Sequence, residues 1–273
     1  MKTILLTGAA GIVGRSIRPI LRERFEKVLL ADLQPISDLA ENEVAFIGDI
    51  ADQEFVGDLV SPVDGIVHLA GLVGAAYEFE DVLRPNLQGT DTMLEAARKA
   101  GIQNFVFASS HHVVGFLRRG DLVDHRTKPR PNSQYALSKA YGEAAASLYA
   151  DKFGLNCLVI RIGYVGNDLS KERRLRTWIS ARDLVQMVEI GLRTPDLGYE
   201  VVYGVSDNPE PIFDNSNATR LGYMPEDSSI DFVTDPEVLK LKPDRTLLQD
   251  VLIGGGFAAE GFDGDPSRFL DSD

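Results

Sequence analysis

The sequence predicts an α/β fold, a doubly wound parallel sheet carrying a small C-terminal substrate lobe. Short β-rich runs alternate with helical patterns from the start of the chain, which is the βαβ grammar of a parallel sheet. The strand runs are apolar without strict alternation, as befits strands covered on both faces. A glycine-rich turn, Thr-Gly-Ala-Ala-Gly-Ile-Val-Gly over 7–14, joins the first strand to the first helix.

The first strand is Thr3–Thr7, the first helix Ile12–Arg24 and the second strand Lys27–Ala31. Val44–Ile47 reads as the third strand, Asp52–Val60 as a helix and Gly65–Ala70 as the fourth strand. A long helix over Tyr77–Ala100 leads into a fifth strand, Asn104–Ser109; a second, Gln134–Phe153, leads into a sixth, Leu155–Ile162. After Gly163 the regularity declines. Ser180 with Asp183 reads as a capping box opening a helix to about Leu192, and Glu200–Gly204 as a further strand. From about Asp207 the chain is rich in Pro, Asp, Asn and Gly, a composition expected of a lobe and tail folded over the carboxyl edge of the sheet. The division reads as 1–165 for the nucleotide-binding part and 166–273 for lobe and tail. No internal repeat or long flexible linker interrupts it.

Composition narrows the function classes. With 273 residues, 44% of them apolar and 25% charged, the chain suits one large domain, or a domain plus a lobe. Its 28 basic residues against 41 acidic ones leave a formal charge of −13, which repels a phosphate backbone and an anionic lipid surface alike. Nucleic acid and membrane are therefore not expected partners. Cys157 is the single cysteine, excluding an internal disulfide or a cysteine-rich zinc site. Apolar stretches such as Thr3–Thr7 and Gly65–Val73 fall far short of a membrane span, and Met1-Lys2 runs straight into a strand rather than a signal peptide. A cytoplasmic location is the expectation. Acids are mostly Asp and bases mostly Arg, a surface that suits a salt-rich cytosol and that ordinary acidic proteins share.

Gly8, Gly11 and Gly14 let backbone approach a pyrophosphate, whose charge then sits on a helix N-terminus where N–H groups and the helix dipole favour an anion. With Ile12 and Val13 between them, they form the phosphate turn of a Rossmann-type sheet. Asp32 ends the second strand 18 residues beyond Gly14. A carboxylate there accepts both adenosine-ribose hydroxyls and repels a 2′-phosphate, so the expected cofactor is NAD rather than NADP. Asp49 and Ile50 are candidates to hold the adenine, and Leu69, Ala70 and Gly71 let the dinucleotide lie close. Ile162, closing the sixth strand, is placed on the same side.

Tyr135 and Lys139 stand four apart on a helix and share a face. An ammonium beside a phenol, with a positive nicotinamide ring, is expected to draw the phenol pKa down and make Tyr135 a general base. Ser110 ends the fifth strand 25 residues upstream, positioned to hydrogen-bond the same substrate hydroxyl. A Tyr-x-x-x-Lys alone is commonplace on helices; the glycine turn, Asp32 and Ser110 give it weight.

With these motifs the sequence resembles the short-chain dehydrogenase/reductase family in its extended branch, over residues 3 to about 165. The resemblance implies Ser110, Tyr135 and Lys139 as catalytic residues, with Tyr135 and Lys139 also touching the cofactor. It matches Asn86 to the branch's cofactor-side Asn, although a helix-kink residue reads equally well there. His111 and His112 follow the serine; adjacent residues project differently and no acidic or Cys partner has ligand spacing, so no metal is expected. His112 reads either as a substrate contact or as a satisfied structural histidine. Lys171–Arg176 is the densest basic run, either an ordinary solvated face or a guanidinium site for a carboxylate or phosphate.

Within the branch, the chain is similar to the uronate dehydrogenases through Asp64-Gly-Ile-Val-His-Leu, Phe105–Ser110 with His112, Arg161-Ile-Gly163, Thr177-Trp178, Phe213-Asp-Asn215 and Gly254-Gly-Gly-Phe257. This resemblance implies oxidation of an anomeric carbon to a lactone, with Arg173 on the sugar carboxylate and Phe257 over the pocket. Three substrate-side positions depart from that pattern: His111 stands for Asn, Tyr164 for Ser, and Val73 or Gly74 for Ser. An anionic hexopyranose, first among these a uronate, is the expected substrate. A hexose 6-phosphate or 6-sulfo sugar is the alternative, which Arg174 and Arg176 would suit. A nucleotide-sugar epimerase and an NAD-sensing module without catalysis complete the readings. The two long helices are where subunits of this family often pair, so a homo-oligomer is expected.

Overall fold

The computed structural model describes residues 2–61 and 63–270; Met1, on which the leader reading depends, lies outside them. Its strands are β1 (Thr3–Thr7), β2 (Lys27–Asp32), β3 (Glu43–Ile47), β4 (Gly65–His68), β5 (Asn104–Ser110), β6 (Asn156–Ile162) and β7 (Tyr199–Gly204). They form one sheet in the order β3-β2-β1-β4-β5-β6-β7, and every pairing is parallel. The sheet turns back on itself between β1 and β4, so a crevice opens beyond their carboxyl ends, where ligands of such sheets sit. That crevice places Gly8, Gly71 and Ser110 along one edge.

Its helices up to β7 are α1 (Ile12–Arg24), α2 (Gln53–Val60), α3 (Phe79–Val82), α4 (Gly89–Ala100), α5 (Gln134–Phe153), α6 (Glu172–Thr177) and α7 (Ala181–Arg193), with short helical turns in the tail beyond. Strand alternation sends Ile4 and Leu6 to one face, where they pack with Ile17 and Leu21 of α1 and Leu184 and Val188 of α7. Leu5 goes to the other, with Leu59 of α2, Met93 and Leu94 of α4 and Ala146 of α5. Burial on both faces explains why the strand runs lack a period of two. Gly142 makes the close seat of α5 possible, since a Cβ there would stand 2.2 Å from Phe107 Cζ.

Two elements differ from the sequence reading. The helix expected over Tyr77–Ala100 is broken: α3 gives way to a π-helical turn, Leu83–Gln88, before α4 begins. Pro85 has no N–H to continue the ladder, and Asn86 in the widened turn directs its side chain outward to other segments, as such insertions at sites often do. The fourth strand stops at His68 rather than Ala70, because the Ala70 N–H donates to Thr7 Oγ1 at 3.3 Å and Gly71 takes φ +151°.

The tail returns to the sheet edge. Arg119 N donates to Val251 O, Ile253 N to Leu117 O and Gly254 N to Gly115 O, each at 2.9 Å, so residues 251–254 run antiparallel along the loop that follows β5. Among the described residues, no helix is long and apolar enough to cross a membrane.

Candidate active site

The nucleotide side is shaped by missing side chains. A Cβ on Gly8, at φ +70°, would lie 2.7 Å from Ala70 N, and one on Gly14 would lie 2.4 Å from Gly8 O. The turn thus folds tightly onto the strand ends and opens the N-terminus of α1, whose cap Gly11 offers no side chain and whose first turn carries no acid. This cradle fits a pyrophosphate. Ile12 and Val13 start the helix, with Ile12 exposed at the mouth. Asp32 Oδ2 accepts the Ala10 N–H at 2.9 Å and Oδ1 the Gln34 N–H at 3.0 Å; each oxygen keeps a lone pair for a ribose hydroxyl. Asp49 accepts the Ala51 N–H and pairs with Arg84 at 2.7 Å. Ile50 is buried, filling the space over Gly89. Leu69, Ala70 and Gly71 form the loop after β4.

Ser110, Tyr135 and Lys139 come together at the carboxyl edge, all buried. Ser110 Oγ accepts the His112 N–H at 3.2 Å, and the serine hydroxyl acts to lower the Tyr135 phenol's pKa. Burial outweighs the serine and pushes the phenol up to about 12, and it pushes Lys139 down to about 8. The chain's own groups therefore do not supply the lowering of Tyr135 expected from Lys139. Two groups withdrawn from water each favour their neutral form, and burial prevails. Lys139 Nζ lies 5.1 Å over the Phe107 ring and close beside Gly71.

Asn86 supports this group from the π turn. Its Oδ1 accepts the Leu72 N–H at 2.7 Å, and its Nδ2 donates to Leu72 O at 3.0 Å and Ser138 Oγ at 2.8 Å. Both amide hydrogens are committed, tying the loop after β4 to α5. A second tie runs beneath: Glu143 of α5 accepts from Ser109 Oγ at 2.6 Å and takes Arg161 of β6 through two bonds of 2.9 and 2.8 Å. Arg161 also reaches Tyr203 OH at 2.9 Å. Removing one partner of so buried a pair costs about 3–5 kcal/mol.

The opposite side, expected to face the substrate, is assembled from distant segments. His111 Nδ1 donates to Ile162 O at 3.0 Å, while its Nε2 accepts from Arg173 Nη1 at 3.1 Å. Burial, with Arg173 adding to it, holds His111 neutral at about 3. Arg173 Nη1 also donates to Ile253 O at 3.1 Å. Phe257 stacks on His112 at 4.4 Å, and His112 meets Tyr135 edge-on at 6.3 Å. Gly255, at φ +60°, admits the guanidinium, since a Cβ there would lie 2.3 Å from Arg173 Nε. Val73 is exposed. Tyr164 packs with Leu169, Leu175 and Trp178, under the guanidinium of Arg174 at 4.6 Å. Arg174 is paired with Asp168 and Arg176 with Glu172 and Glu210, so neither is spare for a more highly charged substrate.

Comparison with known proteins now bears on this cleft. The model for the NAD dependent epimerase/dehydratase family matches residues 4–166. The chain belongs to that family. A uronate dehydrogenase of Pseudomonas putida is 41% identical over 94% of this chain and 96% of its own length. An NAD-dependent glucose-6-phosphate dehydrogenase of Haloferax volcanii is 32% identical over 86% and 97%. In structure, a mutant uronate dehydrogenase of Agrobacterium tumefaciens complexed with NAD superposes with a TM-score of 0.88, at 36% identity over 95% of this chain and 98% of that one.

Sequence reasoning missed Arg119, Asn132 and Gly255. Arg119 pairs with Glu172 at 2.6 Å, 53 residues away, and its Nε is buried without a hydrogen-bond partner. Asn132 reaches the His112 ring at 3.2 Å. Neither contact leaves a mark in local spacing. The triple glycine 254–256 was the available signal for Gly255, but which glycine needs a positive φ depends on Arg173.

Proposed function

We propose that the protein is an NAD-dependent dehydrogenase that oxidises the anomeric C1 hydroxyl of an anionic hexopyranose, first of all a uronate, to the lactone. The observation that carries this reading is the unbroken line of contacts from Tyr135 through His112 and His111 to Arg173. In this reading its two ends are the proton acceptor and the guanidinium that grips a carboxylate. Near-full-length similarity to uronate dehydrogenases supports the substrate class.

In this reading the Gly8–Gly14 turn and α1 hold the pyrophosphate of NAD, Asp32 its adenosine ribose and Lys139 its nicotinamide ribose. NAD, when bound, supplies the acceptor for the hydride leaving C1. Arg173 grips the sugar's carboxylate bidentately, Phe257 and His112 cover the ring, and Ser110 orients the C1 hydroxyl. Tyr135 takes the hydroxyl proton, leaving a C1 carbonyl. The phenol's high starting pKa, about 12, means that deprotonation relies on positive charge brought into the cleft.

The test follows NADH absorbance with uronates, hexose 6-phosphates, 6-sulfo sugars and neutral hexoses. Turnover of uronates, lost by about a thousandfold in Tyr135→Phe with NAD binding retained, is expected. Turnover confined to neutral sugars overturns the reading. The Haloferax relative favours a second reading, a 6-phosphate substrate at the same Arg173.

A further inference from the structure

Four arginines crowd the anion end of the cleft, and their partners are unequal. Arg119 is held by Glu172 at 2.6 Å, with side chains 9% and 12% exposed. Arg174 is paired with Asp168, and Arg176 with Glu172 and Glu210. Among the described residues Arg173 alone of the four has no carboxylate partner, bonding instead to His111 Nε2 and the Ile253 carbonyl. Four guanidinium groups against three carboxylates leave one positive charge, and it is Arg173.

We infer that Glu172 sets the charge of the substrate this pocket accepts, matching it to a monoanion such as a carboxylate and against the dianion of a sugar phosphate. The inference rests on the dehydrogenase reading above and deepens it. Glu172 is the chain neighbour of Arg173 and the least exposed of the three acids. Its position on α6 brings Arg119 in from the loop after β5, whose backbone pairs with the tail that bonds Arg173. One carboxylate thus fixes the second cation in place and cancels it. Burial and the charges of Arg119 and Arg174 pull Arg173 down to about 10, while Glu172 opposes them, consistent with all four groups sharing one poorly screened space. A phosphate ester is essentially dianionic at pH 8 and would bring a second negative charge to a site that offers one positive.

The test compares kcat/KM at pH 8, with saturating NAD, for glucuronate, glucose 6-phosphate and a 6-sulfo hexose, which is tetrahedral like phosphate but singly charged. Wild-type protein should favour the uronate. Glu172→Gln should shift the ratio toward the 6-phosphate by roughly tenfold and leave the 6-sulfo sugar moving with the uronate. Arg119→Met should shift the ratio the opposite way, and the double variant should return it to within about threefold of wild type. Equal losses on all three substrates in Glu172→Gln would mean a purely structural role and overturn the inference. Should that variant not fold, Arg119→Met carries the test alone, and an unchanged ratio in it is equally fatal. Wild-type inactivity on every anionic sugar would instead sink the dehydrogenase reading itself.

Discussion

On the nucleotide side of the cleft the chain contributes backbone and the lack of side chains, through Gly8, Gly14 and the uncapped start of α1. On the proposed sugar side it contributes long polar and aromatic side chains drawn from the end of β5, from α6 and from the tail. The glycine turn and Asp32 of the first half are local, lying within one βαβ unit. The second exists only once segments 53 to 145 residues apart in sequence have met. Changes in one half should therefore leave the binding function of the other nearly intact, although both act on one reaction.

The sharpest way to break that comparison is a matched pair of glycine substitutions. Gly8→Ala forces φ +70° on an L side chain and a contact with Ala70 N, so NAD affinity should fall by a hundredfold or more while sugar affinity holds. Gly255→Ala, at φ +60° and against Arg173, should raise KM for the anionic sugar by roughly ten- to a hundredfold and spare NAD. Calorimetric NAD titrations with KM measurements check both. If either variant damages both ligands equally, the two halves are one cooperative unit.

Activity against pH sharpens the chemistry between them. With the Tyr135 phenol raised to about 12 by burial, the ionised base is scarce at neutral pH and gains tenfold per unit. Then kcat/KM for the sugar should climb steadily from pH 6 to 9. A flat profile would mean that bound NAD lowers the phenol below that window, or that another group takes the proton.

The smallest effect concerns stability. Lys139, lowered to about 8 by burial from 10.5, is charged below pH 8 in folded and unfolded chains alike, at a cost to the fold. Between pH 8 and 10.5 the unfolded chain binds more protons, so this cost fades as pH rises. Lys139→Met, although inactive, should melt a few degrees higher than wild type at pH 7, with the gap closing toward pH 10.5. Melting curves across that range decide it; a lower melting point at pH 7 would show that Lys139 contributes more through contacts than its burial costs.

Particular residues show where reading the sequence ran short. The placement of Gly8, Gly11, Gly14 and Asp32 about the first crossover, and of Tyr135 and Lys139 on one helix, was legible because such spacings map directly to geometry. The break at Leu83–Gln88 was not: Pro85 pointed to it, but periodicity on both sides hid it. Tyr164 was read toward the substrate; its packing with Trp178 and Leu175, beside a parallel bridge to Trp178, was not legible. Arg174 and Arg176 stood in the right run, yet their acids lie at 168, 172 and 210, and only the folded chain says which guanidinium stays free of one.

The sequence by itself determined the parallel sheet, the phosphate turn at its first crossover and the Tyr-Lys pair on one helical face, since these rest on backbone periodicity and short-range sterics. Only the tertiary structure decided that Arg173 lies between His111 and Ile253 and that Glu172 cancels Arg119. Charge in a buried site is set by which partners reach it through space, and distance along the chain carries no record of that.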